Sequence, residues 1–177
     1  MVLKFSITQK TAHDQLYKDF SNRQFAKVYL FHGPSGAGKL ETALFFSKKI
    51  LCELSDPPCE NCLSCKKFNL GTHLDFFRIS LHEDKKRGRI EIIRQEILPR
   101  VYQKANEGIC KVFVFHGAEN ITLSSFNALL KVIEEPPPNT FFIFITSNLY
   151  SIPITIFSRC RKVRFHPLTR DMIKERL

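Results

Sequence analysis

Val28-Tyr29-Leu30-Phe31-His32-Gly33-Pro34-Ser35-Gly36-Ala37-Gly38-Lys39-Leu40 is the stretch on which the fold turns. Val28 to Phe31 is a short apolar run that ends at a glycine-rich turn, the sequence signature of a buried parallel strand. Gly33 to Lys39 fits the phosphate-loop pattern through its lysine. Glycines let backbone N–H groups curl round phosphates at a helix N-terminus, and the lysine adds a point charge. The next position should carry a Ser or Thr hydroxyl to ligate Mg²⁺, but Leu40 stands there and has no ligand atom. Gly33, Gly36, Gly38 and Lys39 are therefore the candidate nucleotide contacts of a degenerate loop. The plainer alternative is a strand-to-helix turn that binds nothing.

Downstream, strands and helices alternate. A helix is expected from about Lys39, with Leu40, Leu44 and Leu51 on one face. Asp75 to Ser80 reads as a second strand and His82 to Arg89 as an exposed polar loop. Ile90, Ile93, Ile97 and Val101 form the stripe of an amphipathic helix that Pro99 must kink or divide. Val112 to Phe115 is a third strand, followed by a helix marked by Phe126, Leu129, Leu130 and Ile133 and closed by Pro136, Pro137 and Pro138. Phe141 to Ile145 and Val163 to Phe165 complete five strands, and Asp171 to Leu177 begins a further helix. Such alternation implies an α/β fold, a parallel sheet covered on both faces with ligands at the carboxyl ends of the strands.

In phosphate-loop ATPases the Mg²⁺-binding acid stands at the carboxyl end of a neighbouring strand. Here the third strand runs into His116-Gly117, and neither residue replaces a carboxylate. Glu119 could serve only if the loop doubled back. Leu40 and His116-Gly117 thus argue independently against intrinsic ATP hydrolysis.

Cys52, Cys59, Cys62 and Cys65 have the spacing C-x6-C-x2-C-x2-C. Four thiolates close a tetrahedral zinc site with no open position, which makes the centre structural. An iron–sulfur centre is the chemical rival, although no fourth Cys-Pro follows at the ferredoxin interval, and four free thiols are the remaining alternative. Cys110 and Cys160 are expected to be unliganded. Lys66 and Lys67 could touch DNA, but a small loop-rich insertion needs the metal merely to fold.

The 177 residues suffice for one domain with a full core. No apolar run approaches the roughly 20 residues of a membrane span, and Met1 to Lys10 lacks the apolar core of a signal peptide. A cytoplasmic, reducing setting follows, in which clustered cysteines hold metal more often than disulfides. The formal charge of +10 suggests an acidic partner such as nucleic acid, or is simply a soluble surface.

Taken in order, Leu30-Phe31-His32-Gly33 through Lys39, the four cysteines, Gly71-Thr72-His73-Leu74-Asp75, Asn127 to Pro136 (NALLKVIEEP) and Ser158-Arg159-Cys160 carry a resemblance. The sequence resembles bacterial clamp-loader subunits of DNA polymerase III, the delta-prime and gamma/tau group of AAA+ proteins. The resemblance implies a three-layer AAA+ module over residues 1–166, with a zinc knuckle at about 52–65 and a helical lid beginning at 167–177. It also implies a fragment that is monomeric without its collar. Partners implied are the gamma/tau ATPase and delta subunits, the sliding clamp and primed DNA, with no membrane. Loss of the metal-binding hydroxyl and acidic pair favours the delta-prime side of the group, which does not hydrolyse ATP. Retention of Gly38-Lys39 keeps nucleotide binding open.

Arg159 in Ser-Arg-Cys is by resemblance an arginine finger that reaches the nucleotide of an adjacent ATPase subunit. A planar, permanently charged guanidinium suits the spread charge of a transferring phosphoryl group. The alternative is a surface arginine in a basic patch with Arg161, Lys162 and Arg164. Thr146, Ser147 and Asn148 occupy the family's sensor-1 region. Glu134 and Glu135 sit at a helix C-terminus, where the macrodipole disfavours acids, so either a pairing or interface role or a solvated helix end accounts for them. Two other functions compete: an active gamma/tau-type ATPase, and a zinc-dependent nucleic-acid-binding module.

Overall fold

Apolar side chains on both faces of a strand require a cover on each side, and the computed structural model of the protein supplies it. It describes residues 10–21, 25–54, 58–81 and 89–168. In chain order the main elements are α1 (Lys10–Ser21), β1 (Val28–His32), α2 (Lys39–Leu51), α3 (Leu63–Asn69), β2 (Phe76–Ser80), α4 (Arg89–Ile92) and α5 (Leu98–Tyr102). They continue with β3 (Lys111–His116), α6 (Leu123–Glu134), β4 (Thr140–Thr146), α7 (Ile154–Phe157) and β5 (Arg161–Arg164). The strands form one parallel sheet in the order β2-β3-β4-β1-β5.

Alternation along the strands feeds two cores. Leu30, Phe113, Phe115, Phe142 and Phe144 pack with Ile93, Ile97 and Val101 and with Phe126, Leu129 and Ile133 of α6. On the opposite face, Tyr29, Phe31, Val112, Val114, Ile143 and Ile145 pack with Ala12 and Leu16 of α1 and Ala43 and Phe46 of α2. Three layers result, as expected. In-register Phe77, Phe113 and Phe142 stack across β2, β3 and β4 with centroids 4.6 and 5.3 Å apart. Such pairs contribute about 0.5–1.5 kcal/mol each beyond their area burial.

Three expectations need correction or refinement. The buried face of α2 is Ala43, Phe46, Ser47 and Leu51, whereas Leu40 and Leu44 are only half-buried. Ser47 can lie in the core because its hydroxyl donates to the Ala43 carbonyl at 2.7 Å, as Thr42 does to Gly38 at 2.8 Å. Ahead of Pro99, the helix widens into a π turn over Ile93–Ile97, with the Leu98 N–H donating to Ile93 O. Proline cannot donate and its ring collides with the carbonyl four residues back, so the register shifts by one. The fifth strand runs from Arg161 to Arg164 instead of Val163 to Phe165, although the Phe165 N–H still donates to His32 O at 2.8 Å. Of the exposed loop expected from His82 to Arg89, Arg89 instead opens α4 and the rest lies outside the described residues, as does the helix expected over 171–177. No helix among the described residues is long and apolar enough to cross a membrane.

Candidate functional site

In this strand order β1 lies between β4 and β5, so its carboxyl end opens where the chain's crossovers diverge, the usual crevice for a ligand. Gly33 follows β1 with φ 146°, and a Cβ there would lie 2.3 Å from the Phe165 carbonyl oxygen. No side chain fits. Gly36 and Gly38 have φ 74° and 82°, the left-handed turn that feeds α2. Gly38 is the N-cap and offers no side-chain acceptor, so the first N–H groups of α2 face the loop.

Lys39 is buried and folded back on that loop. Its Nζ donates to the carbonyls of Gly33 and Pro34, both at 2.6 Å, and to Ser147 Oγ at 3.2 Å. Burial pulls its pKa below the usual lysine value, with Glu119 and Glu41 pulling the other way. Leu40 packs against the core beside α2 and brings no oxygen to the loop.

The end of β3 also bears on this site. Gly117, with φ 82°, turns the chain into a 3-10 turn at Ala118–Asn120. That turn does bring Glu119 back: its Oε2 accepts the Ser147 N–H at 3.3 Å, and its charge is felt at Lys39. Of Thr146, Ser147 and Asn148 at the end of β4, Ser147 is the one that accepts from the lysine. Thr146 Oγ1 donates to Asn148 O at 2.9 Å, and the Asn148 side chain accepts the Tyr150 N–H at 3.1 Å, so both serve their own turn.

At the far end of α2, Cys52 is the helix C-cap. The sulfurs of Cys52, Cys59, Cys62 and Cys65 lie within 4.8 Å of one another, with Cys52–Cys62 and Cys59–Cys65 each at 4.0 Å. A tetrahedral ion with metal–sulfur bonds near 2.3 Å needs sulfurs about 3.8 Å apart, so the set can hold a metal ion. The Cys62 and Cys65 N–H groups donate to the sulfurs of Cys59 and Cys62 at 3.3 and 3.4 Å. The Cys62 N–H foremost draws the Cys59 thiol down to about 6, whereas burial pushes those of Cys52 and Cys65 up. These hydrogen bonds favour thiolates, as a metal requires.

A network that sequence reasoning missed ties this centre to the sheet. Ser64, beside Cys65, donates to Leu51 O at 2.7 Å and meets His73 Nε2 at 2.9 Å, while His73 Nδ1 accepts the Asp75 N–H at 3.1 Å. Burial holds His73 below the usual histidine pKa, which fits the neutral ring that accepts at Nδ1. Asp75 is fully buried and accepts the backbone N–H groups of Asn106, Glu107 and Gly108 at 2.7, 2.8 and 3.2 Å. Burial raises its pKa, yet these donors together outweigh that and leave it lowered. The Gly71 to Asp75 segment is thus a strut between the cysteine centre and the loop ahead of β3. Its sequence signals were a histidine and an aspartate two residues apart before a strand, within the Gly71 to Asp75 stretch that helps carry the resemblance.

Arg159 lies just ahead of β5, at the amino end of the sheet, whereas the phosphate loop follows the carboxyl end of β1. Arg161 is level with Tyr29 and Arg164 with His32, so the strand alone separates Arg159 from Gly33 by about 13 Å. The side chain is exposed and pairs with Glu134 at 2.8 Å. Arg161, by contrast, is paired with buried Asp19.

A family profile described as "DNA polymerase III, delta subunit" matches residues 8–169. The chain belongs to this clamp-loader family. Among clamp-loader relatives, it is 34% identical over 158 residues to DNA polymerase III subunit tau of Bacillus subtilis, covering 88% of this chain and 27% of that protein. It is 32% identical over 165 residues to subunit delta' of the same organism, covering 92% and 49%. The chain therefore spans about half or less of the length of these clamp-loader proteins. A DNA polymerase III gamma subunit-related protein of Thermotoga maritima has the same fold, with TM-score 0.64, 20% identity and coverage of 91% of this chain and 48% of that one. Tau and delta' lie so close in identity that resemblance alone does not separate the two types. Residue chemistry has to decide between them.

Proposed function

We propose that this chain is the AAA+ part of a delta-prime-type clamp-loader subunit that does not hydrolyse ATP and supplies Arg159 in trans to a neighbouring ATPase subunit. In this reading residues 1–166 are the module, with the knuckle at about 52–65 holding a structural zinc, and 167–177 open a helical lid. The partners are gamma/tau and delta subunits, the sliding clamp and primed DNA.

The observation that carries the reading is the phosphate loop. The side chain after Lys39, Leu40, rests on the core where a metal-binding hydroxyl is required. The position of Arg159 supports the second half. A guanidinium at the opposite end of the sheet from the loop does not serve its own subunit's loop, and its exposed position leaves it accessible to another subunit. Fingers of this kind are worth about 10³ to 10⁵ in rate.

One observation favours the active gamma/tau-type reading: the turn at Gly117 places Glu119 beside Ser147, within reach of the lysine's charge. Two measurements separate the readings. The purified protein is expected to show no steady-state ATP turnover above background, and the reconstituted assembly carrying full-length Arg159→Ala is expected to hydrolyse ATP slowly. Turnover by the protein alone that disappears in Glu119→Gln would establish the second reading instead. Normal turnover by the Arg159→Ala assembly would remove the finger.

A further inference from the structure

Arg159 is already occupied. Its NH1 group donates to Thr155 O at 2.9 Å and to Ser158 Oγ at 3.4 Å, and NH2 pairs with Glu134 Oε1 at 2.8 Å. Both ion-pair partners are partly exposed, 39% for Arg159 and 45% for Glu134.

Glu134 is an unusual place for an acid. It is the last residue of α6, where unpaired carbonyls already carry partial negative charge, and the last turn has Lys131 to soften it. An exposed glutamate there brings no helix stability of its own. What it does bring is a carboxylate at the point where the end of α6 meets the turn after α7, which the Arg159 side chain closes.

We propose that Glu134 is a positioning residue that holds Arg159 withdrawn against its own subunit, so that the finger is released only when a neighbour's phosphates replace the carboxylate. This rests on the finger reading above. Phosphate and carboxylate offer the guanidinium the same planar pattern of acceptors, so one can displace the other at the same donors. An exposed ion pair is weak, and therefore the exchange is easy once a nucleotide is presented. Without one, the arm stays on Glu134 and only a fraction of the population is ready. Weakening the hold raises that fraction and with it the neighbour's turnover, with little effect on ATP binding to the neighbour.

The test uses the reconstituted assembly with full-length protein carrying Glu134→Gln, Arg159→Ala or both. Glu134→Gln is expected to raise kcat about two- to fivefold, the range an exposed pair can supply, and to leave KM for ATP unchanged. The gain should shrink as salt rises, because salt screens the pair in the unmodified subunit too. It should also vanish in the double variant, which turns over as slowly as Arg159→Ala. Slow turnover by Arg159→Ala with an unchanged or reduced rate in Glu134→Gln overturns the withdrawal and leaves the finger standing. Normal turnover by Arg159→Ala overturns both. Thermal unfolding of each variant, expected to match the unmodified subunit, separates these outcomes from misfolding.

Discussion

Replacing Gly33 by alanine is expected to destabilise the protein far more than the same change at Gly36, three residues along the same loop. Both glycines have positive φ, 146° and 74° respectively, so each substitution forces a side chain into backbone space that L-residues avoid. At Gly36 nothing lies within 4 Å of the added Cβ, which leaves the conformational penalty of about 1–2 kcal/mol. At Gly33 the penalty is about 1–3 kcal/mol, since the backbone there is in a region almost confined to glycine. The added Cβ also lies 2.3 Å from Phe165 O, 3.0 Å from its carbonyl carbon and 3.0 Å from its Cβ. Relief means pushing the segment after β5 away from β1, which costs about 1–3 kcal/mol for overpacking and about 1 kcal/mol for the bond from Phe165 N–H to His32 O. The gain from a stiffer unfolded chain is common to both variants and cancels. At the middle of these ranges a gap of about 3–4 kcal/mol remains, or roughly 6–16 °C in Tm for a domain of this size. Parallel thermal melts of the metal-loaded protein, followed by far-ultraviolet circular dichroism, measure it directly. Equal Tm values for Gly33→Ala and Gly36→Ala would refute the close approach of Gly33 to β5.

Acid should weaken the protein through His73. Its folded pKa is held below the ordinary value of about 6.5, so the unfolded chain takes up the proton first. The stability it contributes is complete above that value and is lost as pH falls below it. Unfolding midpoints in urea between pH 7 and 5, at fixed metal concentration, are expected to fall more steeply for the unmodified protein than for His73→Gln. Identical slopes would count against a buried neutral ring. The cysteine centre should bind one zinc ion per chain, and chelation should lower Tm and expose α3 to proteolysis before the sheet unfolds. A chelated protein that melts unchanged would show that the four thiols need no metal.

Much of the fold was legible because its signals are local. The five apolar runs and the loop ending at Lys39 each announce themselves within a few residues, and the stripe of Ile93, Ile97 and Val101 did so despite Pro99. What escaped depends on partners distant in sequence. α1 places Ala12 and Leu16 in the core, and its Gln15 side chain donates to Lys162 O on the β5 edge at 2.9 Å. Nothing in that polar segment points to a strand 147 positions away. α3 is only seven residues long and starts from Cys62, whose sulfur caps it, so its existence follows from the cysteine cluster more than from helix propensity. The apolar stripe assigned to α2 held only at Leu51, because Thr42 and Ser47 satisfy their own hydroxyls and can be buried like alanine. In the candidate site, the four cysteines and the glycine loop were readable from spacing. The strut through Ser64, His73 and Asp75, the return of Glu119 and the pairing of Arg159 with Glu134 were not.

The position of β1 in the sheet also bears on how the molecule is made. Its neighbours are β4 and β5, so the strand that carries the loop has no partner until residues 140–164 have left the ribosome. Such long-range parallel pairing is intrinsically slow, and a nascent chain with β1 emerged but unpaired, and β3 paired only to β2, exposes apolar strands that invite aggregation. The cysteine centre has the opposite character: all four cysteines fall between residues 52 and 65, and the cluster can close locally while the sheet is still waiting for its middle.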